Sequence, residues 1–100
     1  MFITMNRFKI KPGSEQDFID IWTGRDSYLG AVPGFQGLHL LQGASSEAHT
    51  LFSSHVTWAS KKAYEAWRKS DAFKQAHADA GSRQEIYLGP PELEYFDVVL

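Results

Sequence analysis

Cysteine is missing from all 100 residues of this chain. That excludes a disulfide framework, a thiolate metal site and a thiol nucleophile. Charge of one sign is missing too: 10 Lys and Arg stand interspersed with 12 Asp and Glu, for a formal net charge of -2. No basic stripe exists to track a phosphate backbone, so nucleic acid is not an expected partner. No apolar run approaches the ~20 residues of a spanning helix, and Met1 to Asn6 lack the n-region and h-region of a signal peptide. No membrane partner and a cytoplasmic address are therefore expected. Neither GxGxxG nor a P-loop is present, nor any other flavin or nucleotide motif. With no acid placed to orient His77, a hydrolytic Ser-His-Asp site is demoted as well.

What is present belongs to a folded chain: 43% apolar and 14% aromatic residues, enough for one core in a single domain spanning 1-100. Residues 2 to 11 read as a strand, with Phe2, Thr4, Asn6, Phe8 and Ile10 on one face and Ile3, Met5, Arg7 and Lys9 on the other. Pro12-Gly13 ends it. Ser14 is placed to cap a helix carrying Phe18, Ile21, Trp22, Arg25, Tyr28 and Leu29 at helical spacing, closed by Val32-Pro33-Gly34. Phe35 to Leu41 and Thr50 to Trp58 read as strands joined by a polar loop, Gln42 to His49. Ser60 caps a helix through Trp67, Ser70 restarts it, and Phe73, Ala76, His77 and Ala80 follow on one side before Gly81. Gly81 to Pro91 reads as loop and Leu93 to Leu100 as a last strand.

The order β-α-β-β-α-β predicts an α+β, ferredoxin-like fold: a four-stranded antiparallel sheet with both helices on one face. The other face should then be polar, yet the first and last strands carry large apolar residues on both sides. Ile3 and Met5 need a cover, and a second copy of the same sheet supplies one, so a homodimer packed sheet on sheet is expected.

Trp67 and His77 are the first candidates for chemistry. Ten residues of unbroken helix would leave their side chains ~80° apart, and the restart at Ser70-Asp71 lets the second run re-aim toward the same cavity. A lone histidine on an apolar face is ordinarily a hydrogen-bonded core residue, and a tryptophan in a helix stripe is ordinarily core. Here Ala76 and Ala80 leave space beside the imidazole, which a flat ligand would fill. Asn6 is the third candidate. Asparagine is depleted in strand interiors, and an amide among Phe2, Phe8 and Ile10 needs a partner, whether a loop, a water or a ligand. His39 and His55 lie on adjacent strands and His49 in the connection. They show no HxH or HExxH spacing, and zinc would require a third ligand. Arg7, Arg25, Lys74 and Arg83 are ordinary solvated charges by default.

With these residues identified, the chain resembles the antibiotic biosynthesis monooxygenase (ABM) superfamily, and within it the IsdG-type heme-degrading monooxygenases. Asn6-Arg7, Gly34-Phe35-Gln36-Gly37, Trp58-Ala59-Ser60-Lys61 and the run Trp67-x-x-Ser70-Asp71-x-Phe73-Lys74-x-Ala76-His77 carry the likeness. The resemblance implies a dimeric α+β barrel with heme as both substrate and cofactor. His77 would be the proximal iron ligand, Asn6 the distal hydrogen-bond donor and Trp67 the bulky group against the porphyrin, with Phe73 also in the heme pocket. It further implies oxidative ring opening with O₂ and an external electron donor, giving iron and a linear tetrapyrrole. A non-enzymatic dimer that binds or transfers heme, and a cofactor-independent quinol-type monooxygenase of the same fold, are the alternatives.

Overall fold

The computed structural model describes residues 1-24, 29-71 and 84-100. Four strands, β1 (Phe2–Ile10), β2 (Phe35–Ser45), β3 (Thr50–Trp58) and β4 (Glu92–Asp97), form one antiparallel sheet in the order β2-β3-β1-β4. Helices α1 (Glu15–Gly24) and α2 (Lys61–Arg68) complete the ferredoxin-like order expected from the chain. The alternation in β1 sets which face is covered. Phe2, Thr4, Phe8 and Ile10 are buried while Arg7 and Lys9 are exposed.

Two clusters occupy the covered face. Phe18 of α1 packs with Phe8, Ile10, Phe52 and Ile86, and Tyr64 of α2 packs with Phe2, Val56 and Trp58. Both helices therefore sit on the Phe2 and Phe8 side. Glu15 reaches back to the α1 entry, its carboxylate oxygens accepting from the Gly13 amide at 2.8 and 3.0 Å. Negative charge there also complements the helix dipole. Ser60 caps α2 as expected, its hydroxyl accepting from the Ala63 amide at 3.1 Å.

Several boundaries differ from the sequence reading. β1 stops at Ile10, and α1 ends at Gly24 within its described part, followed by a 3₁₀ turn at Leu29–Ala31. β2 runs on through Ser45, so only the tip of the Gln42 to His49 stretch is a turn. An edge strand open to solvent accommodates polar side chains, and the Ser45 and Thr50 hydroxyls close the hairpin at 3.0 Å. The supposed loop from Gly81 to Pro91 contains a 3₁₀ turn at Gln84–Ile86 and a bridge from Tyr87 to Ile10. Ile86 is buried, because the Lys11 amide donates to its carbonyl and the Leu88 amide to that of Lys9, drawing the segment onto the end of β1. β4 ends at Asp97 rather than Leu100. The second helical run, with Phe73, Ala76, His77 and Ala80, lies outside the described residues, as do Arg25, Tyr28, Lys74, Gly81 and Arg83.

The uncovered face carries Ile3 and Met5, both half-buried, with Leu41 and Phe96 exposed at 41% and 43%. An ion pair from Arg7 Nε to Glu94 Oε1 lies on the same face. Among the described residues no helix is long and apolar enough to cross a membrane.

Candidate functional site

The two clusters on the covered face do not merge. Antiparallel register lines up Leu40, Ser54, Asn6 and Leu93 in one row across the sheet and Leu38, Val56, Thr4 and Tyr95 in the next. At the centre of these rows three polar side chains, Thr4, Asn6 and Ser54, interrupt the apolar surface. Two of them are accounted for. Thr4 Oγ1 accepts from the Trp58 indole N–H at 3.3 Å, and Ser54 Oγ accepts from the Asn6 backbone amide at 3.2 Å.

The third is different. Asn6 Oδ1 is buried and has no hydrogen-bond partner among the described residues. A buried carbonyl left in that state costs about 1 to 3 kcal/mol, and native interiors hold few of them. A terminal amide offers an acceptor from its oxygen and two donors from its nitrogen, according to how it turns. Asn6 thus places a polar side chain in an apolar setting, its oxygen without a partner among the described residues.

Trp67 belongs to the same side of the sheet. Its ring lies 5.4 Å from Trp58 and 6.2 Å from Tyr64 between centroids. Trp58 in turn bonds Thr4, and Asn6 is the next residue of β1 on that face. Asn6 and Trp67 are therefore joined through Trp58 and Thr4. Trp67 also walls a groove of about 810 Å³, lined by Val32, Pro33, Ala63, Ala66 and Ser70 among others, a volume within the range of small-molecule sites. The groove follows from small side chains: Ala63, Ala66, Trp67 and Ser70 recur at helical spacing, and only the tryptophan is large. The end of α2 falls where the sequence put the restart. Ser70 donates to the Trp67 carbonyl from its amide at 2.9 Å and from its hydroxyl at 2.5 Å, satisfying a carbonyl that the helix leaves open.

The remaining expectations divide. His77 and Phe73 lie outside the described residues. His39 and His55 do stand opposite each other, with ring centroids 6.3 Å apart, but on the uncovered face, away from Asn6. Among the described residues no group of three His, Asp or Glu is placed to hold a metal. Arg7 is committed to Glu94 on that face as well. Sequence reasoning missed Ser54 and the indole bond of Trp58 to Thr4. Thr4 was legible as a neighbour of Asn6 from the alternation, whereas Ser54 acquires meaning only from register.

Comparison with known proteins accords with this geometry. The family model described as "Antibiotic biosynthesis monooxygenase" matches residues 1–79. A protein of Bacillus thuringiensis (strain Al Hakam) named heme-degrading monooxygenase is 30% identical over 98 residues, covering 98% of this chain and 90% of that one. The structure of the heme-degrader MhuD from Mycobacterium tuberculosis, with two hemes bound in its active site, is 26% identical with a TM-score of 0.76, covering 100% of this chain and 97% of that one. SnoaB, a cofactor-independent oxygenase from Streptomyces nogalater, shares the fold at 16% identity and a TM-score of 0.71, covering 97% and 91%.

Proposed function

The chain belongs to the antibiotic biosynthesis monooxygenase family, and from that premise we propose that it is a heme-degrading monooxygenase of the IsdG type. The observation that carries this reading is the buried Asn6 Oδ1 without a partner among the described residues, set between two aromatic clusters on the face that also bears Trp67. The residues fit the ligand. A porphyrin is flat and mostly apolar, and it carries at its centre a metal whose exchangeable ligands need a polar neighbour. Trp67 suits the disc and Asn6 its polar centre, the groove beside Trp67 being lined by residues within 30–34 and 59–70 and not by Asn6, and the imidazole of His77 is a competent axial ligand. The relatives named for heme degradation support the same choice of substrate.

In this reading heme is the substrate and its iron supplies the O₂ chemistry when bound. The protein's own residues bind and orient it. His77 would hold the iron, and Asn6 would offer its amide N–H to an oxygen acceptor there, the side chain turning so that the nitrogen rather than the unpartnered Oδ1 faces it. Trp67, braced by Trp58 and Tyr64, would pack against the macrocycle, and Phe73 would add apolar contact. O₂ and an external electron donor are co-reactants, and a linear tetrapyrrole and iron are the products. The uncovered sheet face, with Ile3, Met5, Leu41 and Phe96, packs on its copy in a homodimer.

A hemin titration followed by ascorbate in air tests the reading. Expected are a shifted Soret band, its loss in His77→Ala, and bleaching with release of an open-chain tetrapyrrole detected by mass spectrometry. Absence of binding, or unchanged binding in His77→Ala, refutes the heme assignment. A stable Soret band that never bleaches would make the chain a heme carrier.

A further inference from the structure

We propose that Trp67, Tyr64 and Tyr95 form a one-electron path that drains oxidising equivalents from the candidate site to the protein surface. Their rings follow one another in contact, 6.2 Å from Trp67 to Tyr64 and 5.6 Å from Tyr64 to Tyr95 between centroids. Trp58 lies beside the first two at 5.4 and 5.7 Å and offers a parallel first step. The surroundings change along the line. Trp67 walls the groove, Tyr64 is 5% exposed within the core, and Tyr95 on β4 is 45% exposed. At the outer end Arg68 Nη1 donates to the Tyr95 hydroxyl at 3.3 Å. The path therefore begins at the site and ends at solvent beside a cation.

Phenylalanine would pack these positions as well as tyrosine, and it is already used at Phe2, which stacks on Tyr95 at 6.0 Å. What the tyrosines add is an oxidisable phenol. Burial first, and then the neighbouring Tyr95 hydroxyl, push the Tyr64 phenol up to about 12, so it stays neutral at any physiological pH.

The step balances as follows. A one-electron oxidant beside Trp67, of the class generated by a peroxide on a bound iron porphyrin, takes one electron from Trp67. Tyr64 refills the indole, passing its phenolic proton to the neighbouring Tyr95 hydroxyl and taking it back as Tyr95 refills it, so both interior side chains end unchanged. Tyr95 gives up one electron and releases its phenolic proton to water. A diffusible reductant such as ascorbate then returns one hydrogen atom to the Tyr95 phenoxyl oxygen. The oxidant has gained one electron, the reductant has lost one hydrogen atom, and one proton has entered water.

The path itself stands on the ring geometry; its service to the site rests on the proposed heme chemistry. Pulse radiolysis of the ligand-free full chain with azide radicals, which oxidise indoles first, tests the geometry. Expected is a first-order, concentration-independent phase in which indole radical absorbance decays as tyrosyl absorbance grows. Tyr64→Phe loses that phase and Tyr87→Phe, in the other cluster, keeps it, while in Tyr95→Phe the phase remains but its tyrosyl radical, confined to the buried Tyr64, is no longer quenched by added ascorbate. Phenylalanine preserves the packing and removes only the hydroxyl, so the variants fold. Absence of the phase in the unaltered chain, or its persistence in the doubly substituted Tyr64→Phe, Tyr95→Phe chain, overturns the path. A second arm treats the heme-loaded chain with hydrogen peroxide and a nitroso spin trap. An adduct on Tyr95 that is lost in Tyr64→Phe supports the draining role, and one undiminished by that substitution overturns it. Failure to bind heme at all refutes the proposed function and leaves the radiolysis result standing on its own.

Discussion

Replacing Asn6 by leucine should make the ligand-free protein more stable and the enzyme less active. The side chain sits mid-strand between Phe2 and Phe8, and its buried Oδ1 finds no partner among the described residues. That deficit is worth about 1 to 3 kcal/mol. Leucine keeps the branched heavy-atom skeleton of asparagine with bulkier methyl ends, belongs to the apolar row already formed by Leu40 and Leu93, and is better tolerated in a strand interior. The bond from the Asn6 amide to Ser54 Oγ is a backbone donation and survives the change. A net gain of about 1 kcal/mol or more in urea unfolding at pH 7 follows, which for a chain of this size raises Tm by about 4 °C or more. Asn6→Ala removes the same oxygen but leaves a void, and it should recover less of the gain. Heme titration of Asn6→Leu should still give a Soret shift, because the iron ligand proposed is His77, while turnover with ascorbate should fall sharply. A loss of stability on Asn6→Leu would mean that the amide is a satisfied structural group. Full turnover in Asn6→Leu would remove it from the reaction.

Three other predictions rest on separate features. Gly34 has φ +85°, and a Cβ there would meet Ala63 Cβ at 2.5 Å, so Gly34→Ala should cost about 1 to 2 kcal/mol in backbone strain and about 1 to 3 kcal/mol in overpacking. Adding Ala63→Gly should relieve the second part only, and equal losses in urea unfolding with and without it would refute the clash. With Tyr64 pushed up to about 12 from 10.0, the folded state keeps a proton that the unfolded chain loses first. This part of the stability is complete below pH 10 and falls by about 2 to 3 kcal/mol as pH rises to 12. Tyr64→Phe should remove that decline, and identical alkaline slopes in urea unfolding for the two proteins would refute it. Met5→Glu on the uncovered face should convert the proposed dimer to monomer in sedimentation velocity with unchanged far-UV circular dichroism; a sedimentation coefficient unmoved by the substitution refutes a sheet-on-sheet dimer.

How much of this could be read beforehand depends on whether the deciding interaction is local. The faces of β1 were legible because alternation is a property of consecutive residues, and Phe2, Thr4, Phe8 and Ile10 are indeed buried. The start of α2 at Ser60 and its break at Ser70 were legible for the same reason, since a cap speaks to residues three positions away. The length of β2 was not. Gly43 to Ser45 look like loop, and only pairing with β3 and the Ser45–Thr50 contact make them strand. Ile86 and Tyr87 were illegible because what orders them is the far end of β1, more than seventy positions earlier. At the candidate site, Asn6 announced itself by residue type, whereas Ser54 is an unremarkable serine until register sets it opposite Asn6.

That difference bears on why the polar band matters. A chain selected for stability alone would fill the centre of its covered face and fuse the two clusters into one. Here Thr4, Asn6 and Ser54 hold them apart, Thr4 and Ser54 by bonds internal to the protein and Asn6 with an oxygen left over. Thr4 supports the arrangement rather than adding to it, because its acceptor fixes Trp58, and Trp58 is the surface against which Trp67 is braced. In the proposed site the unpartnered oxygen and the braced indole serve one ligand. Loss of the Thr4 hydroxyl would loosen Trp58 and with it Trp67, a wall of the groove, whereas loss of the Asn6 amide would leave both indoles in place. A core of ordinary composition has no reason to keep a buried oxygen unpartnered on the face that also braces a large aromatic, whereas the proposed site, which would grip a flat apolar substrate and address its polar centre, has reason for both.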